Sequence, residues 1–202
     1  MIFPNFIERC RMESLIRTIK TYISLTPEEE DIVSSLFTPL QLAPGAYFLE
    51  EGKICRHVAF IHKGLLRYYI NDNGVERTMY FNRENEFVCN YPSFLPQIPS
   101  DKSIQAVEET ELYLISYENL QRFYKEIKEG EKFGRVAIEY VFLSAIQQLD
   151  SLYTDPPEQR YQRFLSIYPD LVQRLPQYFI ASYVGIKPQS LSRIRKRMAG
   201  GH

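Results

Sequence analysis

The sequence predicts an α+β protein: an antiparallel β jelly roll with flanking helices, a long dimerisation helix and a C-terminal helix-turn-helix domain. Three observations predict it. Apolar residues recur at helical spacing before residue 37 and again after Tyr117. Between Leu40 and Ser116 the period falls to two, with turn signals every six to ten residues. Near the C-terminus a small residue, a glycine and five apolar residues stand at the spacings of two crossed helices.

Residues 13–25 place Leu15, Ile16, Ile19 and Ile23 on one helical face and predict a first helix. Thr26-Pro27-Glu28-Glu29 is an N-cap followed by an N1 proline and first-turn acids, opening a second helix through Phe37. Pro44-Gly45, Glu51-Gly52, Lys63-Gly64 and Asp72-Asn73-Gly74 then punctuate short alternating runs. Asn73-Gly74, between the runs 65–70 and 75–81, predicts a two-residue hairpin, because both turn positions need positive φ. A Pro-rich loop at 91–100 precedes closing strands at 103–107 and 111–116. Short strands so spaced form a jelly roll or a barrel.

Helix returns at 118–128, and after Gly130 a longer helix runs to about Tyr153, where Asp155-Pro156-Pro157 stops it. Ile138, Phe142, Ala145, Leu149 and Leu152 follow one another at intervals of four and three, the rhythm of a coiled-coil seam over two heptads. Two packings suit this stripe: a homodimer seam, or a face laid on the chain's own β domain. A further helix is expected at 157–168, with Pro169 and Pro176 bracketing the approach to the C-terminal segment. The expected division is a sensing domain at 1–128, a connecting and dimerisation helix at 129–154 and a helix-turn-helix domain at 155–202.

Among 202 residues, 45% are hydrophobic and 24% charged, which excludes disorder, collagen and a disulfide scaffold. No run approaches the 18 apolar residues of a membrane span, and the start, MIFPNFIERCRMES, lacks a signal-peptide core, so a cytoplasmic protein without a membrane partner is expected. Cys10, Cys55 and Cys89 lie 45 and 34 residues apart with no C-x-x-C, which predicts free reduced thiols rather than metal ligands. The net charge of -1 conceals an asymmetry. The last 32 residues hold six basic side chains and no acid, while the first 170 hold 18 basic and 25 acidic residues, a net of -7. An acidic body with a basic end suits a partner rich in phosphate, such as double-stranded DNA. A solvated basic tail is the plainer alternative.

Residues 177–198 separate these alternatives. Counting from Gln177, the small residue Ala181 is fifth and Gly185 ninth, and Ile180, Val184, Ile186, Leu191 and Ile194 supply the apolar positions. Ala181 suits a close helix crossing, Gly185 a turn with positive φ, and Pro188 the N1 position of a second helix. At 100° per residue, Leu191, Ile194 and Met198 share one side of that helix, with Gln189, Ser192, Arg193 and Lys196 opposite. Gln189 suits adenine and Arg193 guanine in a major groove, with Ser192 a weaker reader. Lys187, Arg195, Lys196 and Arg197 suit phosphate, with Pro188 at the helix start. Surface charge or phosphate contact is the competing role for Arg193.

The helical start, the jelly roll with Gly64-x-x-Arg67, the long helix and the C-terminal helix-turn-helix together resemble the Crp/Fnr family of bacterial transcription regulators. The resemblance covers nearly the whole chain. It implies a cyclic-nucleotide-binding-like domain, a homodimer on a two-fold symmetric DNA site, a small-molecule effector in the β domain, and RNA polymerase as a further partner. Cyclic-nucleotide binders of that family carry F-G-E-L followed about ten residues later by Arg-Ser or Arg-Thr. Here the matching residues are Phe87-Val88-Cys89-Asn90 and Lys102-Ser103, so the glycine, the ribose-binding glutamate and the phosphate-binding arginine are replaced. Lysine makes a point contact where arginine would grip phosphate with two bonds. Cyclic AMP is therefore expected to bind poorly or not at all, leaving an altered pocket at Tyr80, Phe87, Asn90, Tyr91, Lys102 and Ser103 for an unknown effector. The N-terminal cysteine cluster that the family's oxygen-sensing branch needs is also absent, and with Gly200-Gly201-His202 at the end the usual β wing is expected to be short or missing.

No enzyme is expected. Jelly-roll metal chemistry draws on His-x-His with a nearby Glu, whereas His57 and His62 are five apart and alternate across a regular strand. No catalytic residue, metal or cofactor is assigned, and no phosphate loop, G-x-S-x-G or H-E-x-x-H occurs. The competing class is a ligand-sensing jelly-roll module whose C-terminal helices serve protein interaction; the one-sided basic helix argues against it.

Overall fold

Thr26 sets the first sharp boundary of the chain. Its hydroxyl accepts from the Glu29 amide at 3.3 Å while the Glu29 carboxylate accepts from the Thr26 amide at 2.9 Å, a capping box that opens α2 (Pro27–Leu36) as expected. The computed structural model describes residues 5–199, with side chains from Met12 onward. Helix α1 (Asn5–Lys20) ends five residues before the expected Leu25. There the amides of Thr21 and Tyr22 fall back onto Thr18 and Ile19 in tighter bonds, and the Ser24 amide is taken by Glu129 at 2.9 Å. Ile23 stays buried although it is no longer helical.

Eight strands follow among the described residues: β1 (Thr38–Leu42), β2 (Tyr47–Leu49), β3 (His57–Lys63), β4 (Leu66–Asp72), β5 (Val75–Asn82), β6 (Phe87–Val88), β7 (Ser103–Ala106) and β8 (Thr110–Ser116). They form two four-stranded sheets in the orders β1-β8-β3-β6 and β2-β7-β4-β5. β8 runs antiparallel to both β1 and β3, with Leu114 opposite Thr38 on one side and Ala59 on the other. Asn73 and Gly74 adopt φ of 53° and 85°, the hairpin turn that their sequence predicts. At Gly64 a Cβ would stand 2.5 Å from the Thr110 hydroxyl, so only glycine permits this approach of chain to chain. The expected loop at 91–100 contains one helical turn, α3 (Tyr91–Phe94): Pro92 starts it rather than breaking it, and the Ser93 and Phe94 amides return to the Asn90 carbonyl.

Helix α4 (Tyr117–Glu126) is capped by Ser116, and α5 (Gly130–Thr154), α6 (Pro157–Ile167), α7 (Gln177–Val184) and α8 (Pro188–Ala199) complete the chain. Two compact units result: residues 1–68 with 81–140, and residues 69–80 with 141–202. The core of the first unites Leu15, Ile19, Val33 and Leu36 of the helical start with Phe60, Ile61 and Leu66 of the strands. In the second, Phe164 of α6, Leu171, and Ile180, Ala181 and Val184 of α7 are buried with Leu191 and Ile194 of α8. Among the described residues no helix is long and apolar enough to cross a membrane.

Candidate functional site

Helix α7 ends in a Schellman motif. Gly185 takes φ +73°, its amide bonds the Ser182 carbonyl at 3.1 Å, and the Ile186 amide reaches back to Ala181 at 3.0 Å. Two residues later Pro188, with no amide to satisfy, begins α8. The intervening turn is held from the side by Arg160, whose Nε donates to the Val184 carbonyl at 2.8 Å and whose Nη1 reaches the Asp155 carbonyl at 3.2 Å. One guanidinium thereby serves carbonyls at the ends of two helices.

The two sides of α8 differ sharply. Leu191 and Ile194 are buried, Met198 is half-buried, and Lys187, Pro188, Gln189, Ser192, Arg193, Arg195, Lys196 and Arg197 are all exposed. The polar stripe expected from the sequence is thus open to solvent along its whole length. Two of its cations have intrachain partners: Arg195 donates to the Gln177 side-chain oxygen, and Arg197 pairs with Glu158 at 2.7 Å. Neither contact is legible in the sequence, because 18 and 39 residues separate the partners.

On α5 the apolar stripe is uncovered within the chain. Phe142 is 62% exposed, Leu149 47%, Leu152 46% and Ile138 38%, with Ala145 half-buried between them. Val141, Leu143 and Ile146 widen the exposed apolar surface.

The residues expected to line an effector pocket separate into groups. Asn90 is fully buried, its Nδ2 donates to the Ser100 hydroxyl, and its Oδ1 has no hydrogen-bond partner among the described residues. The same Ser100 oxygen accepts from the Lys102 amide at 3.0 Å, which brings Asn90 and Lys102 to one hub. The Lys102 ammonium itself is 2.8 Å from both oxygens of Asp101 and holds that carboxyl below its usual range. Ser103 is buried and accepts from the Glu51 amide. Tyr91 stands beside Phe94, and burial followed by the proximity of Tyr124 pushes its phenol up. Phe87 packs on Phe60 and Phe133 at ring distances of 5.1 and 5.6 Å, as part of the aromatic core. Tyr80 belongs to the second unit, where it is near enough to Tyr183 to help raise that phenol to about 12, after the larger effect of burial. Arg67 of the Gly64-x-x-Arg67 motif is buried. Gly200-Gly201-His202, on which the short-wing expectation rests, lies outside the described residues.

Comparison with known proteins gives this architecture a class. Residues 39–127 match the family model of the cyclic nucleotide-binding domain. No curated protein matches the sequence. Among solved structures, FixK2 from Bradyrhizobium japonicum superposes with a TM-score of 0.70 at 13% identity over 81% of this chain and 84% of its own. The c-di-GMP responsive global regulator CLP of Xanthomonas campestris reaches 0.67 at 15% identity, covering 87% and 93%. The catabolite activator protein of Thermus thermophilus gives 0.57 at 20% identity, covering 90% and 86%. The chain thus carries a cyclic-nucleotide-binding fold at 39–127. The likeness to these three structures, all at 20% identity or less, is one of fold.

Proposed function

We propose that this protein is a homodimeric, sequence-specific DNA-binding transcription regulator of the Crp/Fnr type. The observation that carries this reading is the division of α8 into a buried apolar side and a fully exposed cationic side. A helix free of acid, with Gln189, Ser192 and Arg193 toward its N-terminal half, offers base-reading groups where a recognition helix meets base edges. Lys187, Arg195, Lys196 and Arg197 neutralise phosphates on either side, and Pro188 sets the angle at which the helix begins.

The stripe on α5 supports dimerisation. Side chains as large as Phe142 and Leu149 left in water across two heptads are the mark of a protein interface, and a second copy offers the matching seam. The functional division then follows as a sensing part at 1–128, a dimer helix at 129–154 and a reading part at 155–202, in a cytoplasmic protein that works with RNA polymerase. The effector site takes a small molecule other than cyclic AMP. Asn90 stands where the ribose-binding carboxylate would be, its buried acceptor oxygen suits a ligand donor, and the Lys102 charge is already matched by Asp101.

Selection of bound duplexes from a random library tests this reading. A two-fold symmetric site with half-sites about 10 base pairs apart, or a multiple of that, is expected. Recovery of unrelated sequences without symmetry would refute it.

A further inference from the structure

We propose that Cys55 and Cys89 form an oxidisable dithiol, a modification site at which hydrogen peroxide closes an intramolecular disulfide. The two sulfurs are 3.9 Å apart although 34 residues separate them in the chain. Both are free thiols. Cys55 lies in the approach to β3 and Cys89 directly follows β6, the strand paired with β3, so neither is locked into a ladder bond of that pairing. A disulfide needs sulfurs about 2.05 Å apart, so the proposal requires the two side chains to turn toward each other.

The surroundings divide the work between the two sulfurs. A hydrogen bond from the Cys89 thiol, helped by the Asn90 and His57 backbone, draws Cys55 down to about 7 against the opposing effect of its burial. Burial and the adjacent Cys55 sulfur push Cys89 up. Cys89 is the partly exposed member of the pair. The Cys55 thiolate attacks one oxygen of hydrogen peroxide, breaking the O–O bond to give Cys55 sulfenic acid and hydroxide. That hydroxide takes the Cys89 proton and leaves as water. The Cys89 thiolate then attacks the Cys55 sulfur and expels hydroxide, which is protonated to a second water. Two thiols are oxidised by two electrons and one peroxide is reduced to two waters. The product ties the approach to β3 onto Cys89, the neighbour of Asn90, which is the N-cap residue of α3.

The test uses the full chain, treated with hydrogen peroxide, alkylated, and digested with trypsin without reduction. Cleavage after Lys53, Arg56, Arg83 and Lys102 leaves Cys55 in peptide 54–56 and Cys89 in peptide 84–102. The expected product is these two peptides joined, 2 Da lighter than their sum, and separated again by dithiothreitol. In Cys89→Ser, dimedone is expected to trap the sulfenic acid on Cys55 instead. Both peptides recovered alkylated and unlinked, at peroxide concentrations that oxidise free cysteine, would overturn the proposal. So would sulfinic acid on either cysteine of the natural chain in place of the link.

Discussion

The Thr78 amide donates to the Ser182 hydroxyl at 2.9 Å, and that hydroxyl in turn donates to the Glu76 carbonyl at 3.0 Å. A side chain of α7 therefore completes the backbone bonding of one edge of β5, and Gln148 adds a bond to the Met79 carbonyl at 2.6 Å. Thr78 is buried. Removing the hydroxyl strands its amide, at a cost of about 1–3 kcal/mol. Ser182→Ala is expected to lower the midpoint of chemical denaturation and to speed hydrogen exchange at residues 75–80. Unchanged exchange there would show that this contact does not hold the hairpin.

Two glycines with positive φ should answer differently to the same substitution. At Gly185 a Cβ would meet nothing nearer than 3.8 Å, so Gly185→Ala carries only the backbone strain, about 1 kcal/mol. At Gly64 the same Cβ falls 2.5 Å from the Thr110 hydroxyl and 2.6 Å from the Glu109 carbonyl, and Gly64→Ala is expected to cost several times as much. Paired urea melts of the two variants provide the comparison.

The α5 stripe predicts that the protein sediments as a dimer and that Phe142→Asp with Leu149→Asp sediments as a monomer. Both side chains are exposed within the chain, so the variant should keep its far-UV spectrum. A monomeric parent protein would contradict the seam.

Cyclic AMP should give no heat in calorimetry at millimolar concentration. The Asn90 amide lacks the charge of a ribose-binding carboxylate, and the Lys102 ammonium is already paired with Asp101. Stoichiometric heat would overturn this expectation.

Much of this architecture could be read from the sequence wherever a local interaction decides it. The Thr26 cap, the Asn73-Gly74 turn and the Gly185 cap of α7 each act over fewer than ten residues. Partnerships made by strand order left no local trace. Cys55 and Cys89 meet only because β3 pairs with β6, and of the six residues expected at one pocket Asn90 and Lys102 share the Ser100 hub while Phe87 lies in the aromatic core. The early end of α1 has the same origin: Glu129, more than a hundred residues away, takes the amide that a further helical turn would use.

Glu158 opposes the proposed phosphate-binding role of Arg197, which it holds at 2.7 Å. Both groups are largely exposed, so the pair itself contributes little to stability. Glu158→Gln is expected to tighten DNA binding severalfold at low salt, with the gain fading as salt rises. Weaker binding would show that the pair instead orients Arg197 for its contact.

The most direct test is fluorescence anisotropy on the selected duplex and on a scrambled one, for the natural protein and Arg193→Ala across a salt series. The natural protein should strongly prefer the selected duplex, and Arg193→Ala should lose about 1–3 kcal/mol on it with relaxed preference at one base pair per half-site. Equal affinity of the natural protein for both duplexes at moderate salt would contradict the assignment of α8 as a helix that reads DNA.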